Sequence, residues 1–223
     1  MGDARRSGRP PAPLLVACAL TIEQLALRSG RRGDAAAPVR VVRTGMGPKA
    51  AETALERVLG GPQAGAGGTF VPGAVVAAGF CAGLLPGMHP GDVVVAEETR
   101  EGDAVTPCAG VPLLVEALTR ALPGRTVHTG PLTGSDHVVR GPERAALGAG
   151  GAIAVDMESA ATLRTALRHG PRPVAAVRVV VDAPEHELVR IATVRGGISA
   201  FRVLRAVLPA FHEWHRSLLL PRR

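Results

Sequence analysis

The chain has 223 residues of which 46% are hydrophobic, enough for one α/β domain with a sizeable core. Aromatic residues make up 2% and Tyr is absent, so stacking platforms for bases cannot be numerous, which weighs against a nucleic-acid binder. The net charge of +7 is carried by Arg, with Lys49 the only Lys, and much of it sits in the tails, so it reads as solvated surface charge.

Residues 1–12 form a Pro/Gly/Ser-rich leader carrying Arg5, Arg6 and Arg9, expected to be disordered, and residues 13–223 are expected to form the single domain. The apolar run Leu14 to Leu20 is far shorter than a membrane span and lacks a convincing cleavage pattern after it, so the expected compartment is the cytoplasm. From there, short β-rich runs alternate with longer segments of helical period. That alternation predicts an α/β fold in three layers, α/β/α, around a mostly parallel mixed sheet. Strands are expected at Leu14 to Ala19, Val39 to Val42, Ala74 to Ala78, Asp92 to Val95, Ala152 to Val155 and Val174 to Val181. Helices are expected at Thr21 to Arg28, Lys49 to Leu59, Leu113 to Leu122, Glu158 to Arg168 and Ser199 to Leu219, the last bent near Pro209. Gly60 to Gly68 reads as a loop.

The last helix places Phe201, Leu204, Leu208, Phe211, Trp214 and Leu218 at helical spacing. Such a stripe faces a core or, as the alternative, a membrane surface. Cys18, Cys81 and Cys108 are odd in number and far apart, without the spacing of a zinc site or a disulfide framework, which fits a reducing compartment and no metal.

Four places could carry chemistry. Glu23 follows the first strand and reads in isolation as the third residue of a capping box opened by Thr21, or as a helix-surface carboxylate. Gly45-Met46-Gly47-Pro48-Lys49-Ala50 joins a strand to a helix. It lacks the acidic residue a dinucleotide site wants about 20 residues on, and its lysine is wrongly spaced for a phosphate-binding P-loop. What remains is a backbone-rich turn suited to an anionic or hydroxyl-bearing ligand, or simply a tight turn. Val155-Asp156-Met157-Glu158-Ser159 runs a buried strand into a helix, with Asp156 placed to cap it and Glu158 set among Met157 and small residues. Val177-Arg178-Val179-Val180-Val181-Asp182 puts an Arg inside an apolar strand and an Asp at its end, and both need partners, either each other or neighbours.

In this order these segments resemble the nucleosidase branch of the purine nucleoside phosphorylase superfamily, over nearly the whole domain. Val155 to Ala161 is similar to the family's V-(E/D)-M-E-(S/A/G)-A-A signature and Val177 to Asp182 to its V-R-x-x-x-D strand. Thr44 to Gly47, Gly79 to Leu84, Pro90 to Val94 and Gly134 to Asp136 add to the likeness. The resemblance implies a sheet of the nucleoside phosphorylase type and an enzyme that cleaves the N-glycosidic bond of a purine nucleoside. It implies Asp182 as the acid that protonates the leaving base at N7, Glu158 on the ribose hydroxyls, Met157 under the sugar, Glu23 as the base that activates water, and Arg178 orienting that water or the carboxylates. Gly45, Gly47, Phe80, Val138 and Val139 are then the further substrate-binding positions. No cofactor is expected, the co-substrate being water or phosphate, and a homo-oligomer is expected.

Two positions depart from methylthioadenosine nucleosidases: Phe80 stands where they keep a small hydroxyl residue, and Val138 where they keep an aromatic that stacks on the base. The combination of Thr44 to Pro48, Ser135 to Val139 and Ala154 to Ser159 resembles hopanoid-associated members, which implies adenine release from an adenosylhopane-like nucleoside, and with such a lipidic substrate a membrane surface as partner. A carboxylate at Glu23 would repel phosphate, which favours hydrolysis over phosphorolysis.

Overall fold

A computed structural model describes residues 12–30, 38–61, 70–183 and 192–219. The expected leader lies outside these apart from Ala12, as does most of the Gly60 to Gly68 loop. Eight strands and seven helices follow in the order β1 (Leu14–Cys18), α1 (Thr21–Ser29), β2 (Val39–Arg43), α2 (Pro48–Gly60), β3 (Ala74–Gly83), β4 (Val93–Glu101), β5 (Ala104–Pro107), α3 (Val111–Ala121), β6 (Val127–Gly134), α4 (Gly141–Ala149), β7 (Ala154–Asp156), α5 (Ser159–Arg168), β8 (Val174–Asp182), α6 (Ala192–Ala206) and α7 (Leu208–Leu219) among the described residues.

Alternate residues of a strand point to opposite faces, and here both faces are buried. Leu14, Val16 and Cys18 of β1, with Ala74, Val76 and Ala78 of β3, pack under α1, α3, α6 and α7. Leu15 and Ala17, with Val75 and Ala77, pack on the other face under α2 and α5. This is why these strands read as continuous apolar runs. Strand pairing is mostly parallel: β1 with β2 and β3, β3 with β8, β4 with β6, and β6 with β7, whereas β3–β7, β4–β5 and β4–β8 are antiparallel.

The sheet does more than stack. β8 pairs with both β3 and β4, and the path β3–β7–β6–β4 returns to it, so five strands close a ring from which β1 and β2 extend. A register shift between Cys81 and Ala82 lets β3 leave β8 and pair through Ala82 and Gly83 with β7. The expected third strand is thus longer than its apolar run, and Phe80 lies inside it. Two strands and one helix have no counterpart in the sequence reading. β6 carries Gly130 and Pro131 at its centre, residues that argue against a strand, and Pro131 is accommodated beside the register shift between Ala96 and Glu98 of β4. α4 has one buried residue, Arg144, and therefore no apolar stripe to see.

The C-terminal helix is two helices, broken at Val207, with Pro209 near the start of α7, where its missing N–H costs no helical bond. Leu204, Leu208, Phe211 and Trp214 are fully buried, and the Trp214 indole N–H donates to the Ala109 carbonyl at 2.9 Å. The stripe is spent on the core, which removes the membrane-surface reading of this helix. Among the described residues no helix is long and apolar enough to cross a membrane.

Candidate active site

The C-terminal ends of β1, β2, β3 and β8 and the β7–α5 junction surround a cavity of about 280 Å³, near the lower end of the ~300–1,000 Å³ usual for small-molecule sites. Glu23, Glu158 and Asp182, from three separate stretches of chain, all line it. Phe80, Met157, Val138 and Val139 line it too, so seven of the ten expected site residues meet in one wall. Arg178, Gly45 and Gly47 do not: they stand behind it.

Glu23 is 2% exposed, which corrects the helix-surface reading. Oε2 accepts the N–H groups of Ala19 and Leu20, each at 2.8 Å, and Oε1 accepts that of Phe80 at 2.7 Å. The cap of α1 is Leu20 rather than Thr21. A Leu has no side-chain acceptor, so only the half of the capping box that Glu23 supplies is chemically present.

Gly45 and Gly47 have φ near +87° and +88°, a conformation that favours glycine, and they bring the turn over the start of α5. The Gly47 N–H donates to Glu158 Oε1 at 2.8 Å. The anion this turn receives is therefore a carboxylate of the protein itself. Met46, between the two glycines, is 66% exposed and forms part of the cavity wall. Burial pushes the Glu158 carboxyl above its ordinary pKa; Arg178 opposes the rise, Asp156 adds to it, and the Gly47 N–H again opposes it.

Below the wall, Arg178 is 1% exposed. Its Nε lies 2.5 Å from Asp156 Oδ2 and donates to Ser159 Oγ at 2.9 Å, while Ser159 donates its hydroxyl to Asp156 at 2.6 Å. Asp156 Oδ1 also accepts the Ser159 N–H at 3.1 Å, but the N-cap position of α5 belongs to Glu158, not to Asp156 as expected. Burial alone would lower the Arg178 pKa, and the carboxylates of Asp156, Glu158 and Glu23 more than restore it. Nη1 has no hydrogen-bond partner among the described residues. Arg178 and Asp182 thus find neighbours and not each other. Asp182 Oδ2 accepts Arg144 Nη1 at 2.9 Å, and the buried Oδ1 has no partner among the described residues.

Arg144, the partner of Asp182, had no signal in the sequence, since α4 carries no motif. Met46, His137 and Asp156 also line the cavity without having been singled out as contact residues. The nearest signal was their place inside the matched segments. The cysteines offer no nucleophile: burial pushes Cys18 up to about 12 and Cys108 to about 11, and drives Cys81, in the wall, higher still. Among the described residues no group of three or more His, Cys, Asp or Glu side chains is arranged to hold a metal ion. The lining contains no Lys or Arg among the described residues, and carboxylates dominate its polar part.

A sequence profile described as the phosphorylase superfamily matches residues 23–209. No curated protein matches in sequence. Among solved structures, a 5′-methylthioadenosine/S-adenosylhomocysteine nucleosidase from Neisseria meningitidis, in complex with methylthio-immucillin-A, superposes with a TM-score of 0.72 at 20% identity, covering 92% of this chain and 99% of that one. The corresponding nucleosidase from Colwellia psychrerythraea, in complex with adenine, gives 0.71 at 18% identity, covering 92% and 96%. Futalosine hydrolase of Helicobacter pylori gives 0.71 at 13% identity, covering 89% and 96%. Identities this low establish the shared fold.

Proposed function

Because this chain belongs to the phosphorylase superfamily, we propose that it is a purine nucleosidase, an enzyme that hydrolyses the bond between a purine and its sugar. The observation that carries this reading is the convergence of Glu23, Glu158 and Asp182 on one cavity. The nucleosidases and the futalosine hydrolase of the same fold support it.

Breaking the C1′–N9 bond sends its electron pair into the purine and leaves positive charge on the sugar. Asp182 gives its proton to N7 of the departing base, which makes that electron pair stable. Glu158 accepts hydrogen bonds from the ribose hydroxyls, its own position fixed by the Gly47 N–H. Water then adds at C1′, and Glu23 takes its proton. Met157 packs against the sugar, Phe80, Val138 and Val139 against the remainder of the nucleoside. Arg178 acts from behind, holding Asp156 and lending positive charge to the carboxylates around it. The chemistry of these groups is acid transfer to the departing base and base transfer from the water that adds at C1′, and each such transfer contributes about 10²–10⁴ in rate.

Hydrolysis is favoured over phosphorolysis because the lining places carboxylates, and no Lys or Arg among the described residues, where a phosphate would have to sit. The substrate we propose is a 5′-substituted adenosine of the adenosylhopane kind, since the wall is largely apolar and its rim presents Met46 and Val138, 66% and 65% exposed.

The test is a panel of methylthioadenosine, adenosylhomocysteine, futalosine, inosine and adenosylhopane, scored by free base released with and without phosphate. Release without phosphate and a free reducing sugar are expected, with Asp182→Asn lowering the rate by about 10²–10⁴ while leaving the melting temperature near that of the parent. Strict dependence on phosphate would replace the hydrolase by a phosphorylase. Near-normal turnover by Asp182→Asn would remove the acid from that residue.

A further inference from the structure

α4 is docked by one buried side chain, and that side chain is charged. Arg144 donates Nε and Nη2 to the Gly83 carbonyl at 3.2 and 2.7 Å and Nη1 to Asp182 Oδ2 at 2.9 Å. An apolar residue generally docks a helix at least as well as a buried ion pair, because taking two charges out of water costs about what their attraction returns. Docking alone does not account for an Arg here. The Asp182 oxygen that Arg144 leaves free, Oδ1, has no partner among the described residues, and Asp182 lines the cavity.

We infer that Arg144 is a positioning residue for proton transfer by Asp182, holding the carboxyl through Oδ2 and stabilising the carboxylate that remains once the proton has gone. The inference rests on the nucleosidase reading above. As the C1′–N9 electron pair enters the purine, the O–H bond of Asp182 breaks and an N7–H bond forms. The electron pair of the O–H bond stays on Asp182, opposite the guanidinium. The charge that Arg144 meets exists only after the proton has moved. Such an interaction lowers the barrier without tightening ground-state binding, so it acts on kcat.

The other ionisable groups facing the same cavity are Glu23 from α1, Cys81 from β3, His137 from the loop before α4, and Asp156 and Glu158 from the β7–α5 junction. The carboxylates among them oppose a further negative charge at Asp182. Arg178, on the same strand, has its Nε on Asp156 and Ser159, which leaves Arg144 as the cation bonded to Asp182.

The experiment compares wild type, Arg144→Gln, Arg144→Lys, Asp182→Asn and the double variant Arg144→Gln/Asp182→Asn on the panel nucleoside that wild type cleaves fastest. Arg144→Gln is expected to lower kcat by about 10–100-fold with KM within about threefold, since one charge-assisted contact is lost from the transition state. Arg144→Lys should recover part of that loss. In the Asp182→Asn background, Arg144→Gln should cost little more. Equal cost in both backgrounds, or a raised KM with kcat unmoved, would overturn the inference and leave Arg144 as a docking residue of α4. Wild type inert on every nucleoside fails the parent reading, and the role of Arg144 with it.

Discussion

Glu23 Oε1 accepts the backbone N–H of Phe80 at 2.7 Å, tying the first turn of α1 to the interior of β3 across 57 positions of sequence. The other oxygen accepts two more N–H groups, so the carboxylate is a structural knot as well as the proposed base. Glu23→Gln is therefore not conservative. One end of the amide becomes a donor and must face an N–H, leaving a buried donor unsatisfied. The expected cost is about 1–3 kcal/mol, and on the order of 2–4 °C in melting temperature per kcal/mol, alongside loss of base release. A melting curve superimposable on wild type would show that the three bonds do not hold the fold.

Gly79 separates this knot from Arg178. A Cβ at Gly79 would stand 2.5 Å from both Glu23 Oε1 and Arg178 Nη1, closer than heavy atoms approach. Neither side chain can retreat, since one is bound by three N–H groups and the other is paired with Asp156 at 2.5 Å. Gly79→Ala is expected to destabilise by about 1–3 kcal/mol through overpacking and to displace Glu23, so that residual folded protein releases base at a fraction of the wild-type rate. Thermal melting and single-turnover assays check the two effects separately. Unchanged turnover in a folded Gly79→Ala protein would mean that Glu23 need not sit where it does.

Glu158 gives a pH dependence whose sign follows from its cause. Burial raises its pKa in the folded protein above the ordinary value of 4.5. The folded state then holds a proton that the unfolded state has already lost, so the contribution to stability is fully present below about 4.5 and disappears as pH rises through the folded value. At neutral pH the buried carboxylate is a burden. Glu158→Gln can still accept the Gly47 N–H through its carbonyl oxygen, and it carries no charge. It is expected to melt higher than wild type at pH 7 to 8, with the gain vanishing near pH 4, while nucleoside binding weakens because a carboxylate no longer meets the ribose hydroxyls. Calorimetry at both pH values is decisive, and a variant that melts lower at pH 7 would reverse the argument.

The apolar strands and the helices with periodic stripes were legible because each follows from burial on both faces of the sheet or on one face of a helix. Segments held by other forces were not. β6 tolerates Gly130 and Pro131 because β4 shifts register beside it, a compensation that lies on another strand. α4 buries only Arg144, with Leu147 packed part-buried against Leu84, Val139, Ala152 and Val155, and so few inward residues leave no period in sequence. The ring closure through β8 depends on pairings between distant strands. At the site, Glu158 and Asp182 stood out as acids in apolar company, whereas Glu23 looked ordinary: its meaning comes from the Phe80 N–H, which sequence proximity cannot show. The Gly45 to Gly47 turn invited a ligand, and the structure satisfies it with Glu158.

His215 shows how the core sets a limit at acid pH. It sits in α7 beside Trp214, 1% exposed, and neither ring nitrogen has a hydrogen-bond partner among the described residues. A Cβ at Gly73 would lie 3.0 Å from its Nε2 and 2.9 Å from Ala12 Cβ, so the ring is packed where the chain enters β1 and β3. Burial pushes its pKa below the ordinary 6.5. Above about 6.5 the ring is neutral in both folded and unfolded chains and contributes no pH dependence. Below that value the unfolded chain takes up a proton that the folded one refuses, so stability falls with falling pH until the lower folded value is reached. His215→Phe removes the titrating group and keeps a ring of similar shape. The variant is expected to melt close to wild type at pH 8 and above it at pH 5, flattening the acid branch of the stability curve. If both proteins lose the same stability between those two pH values, protonation of His215 is not what loosens α7, and the carboxylates of the cavity become the groups to titrate next.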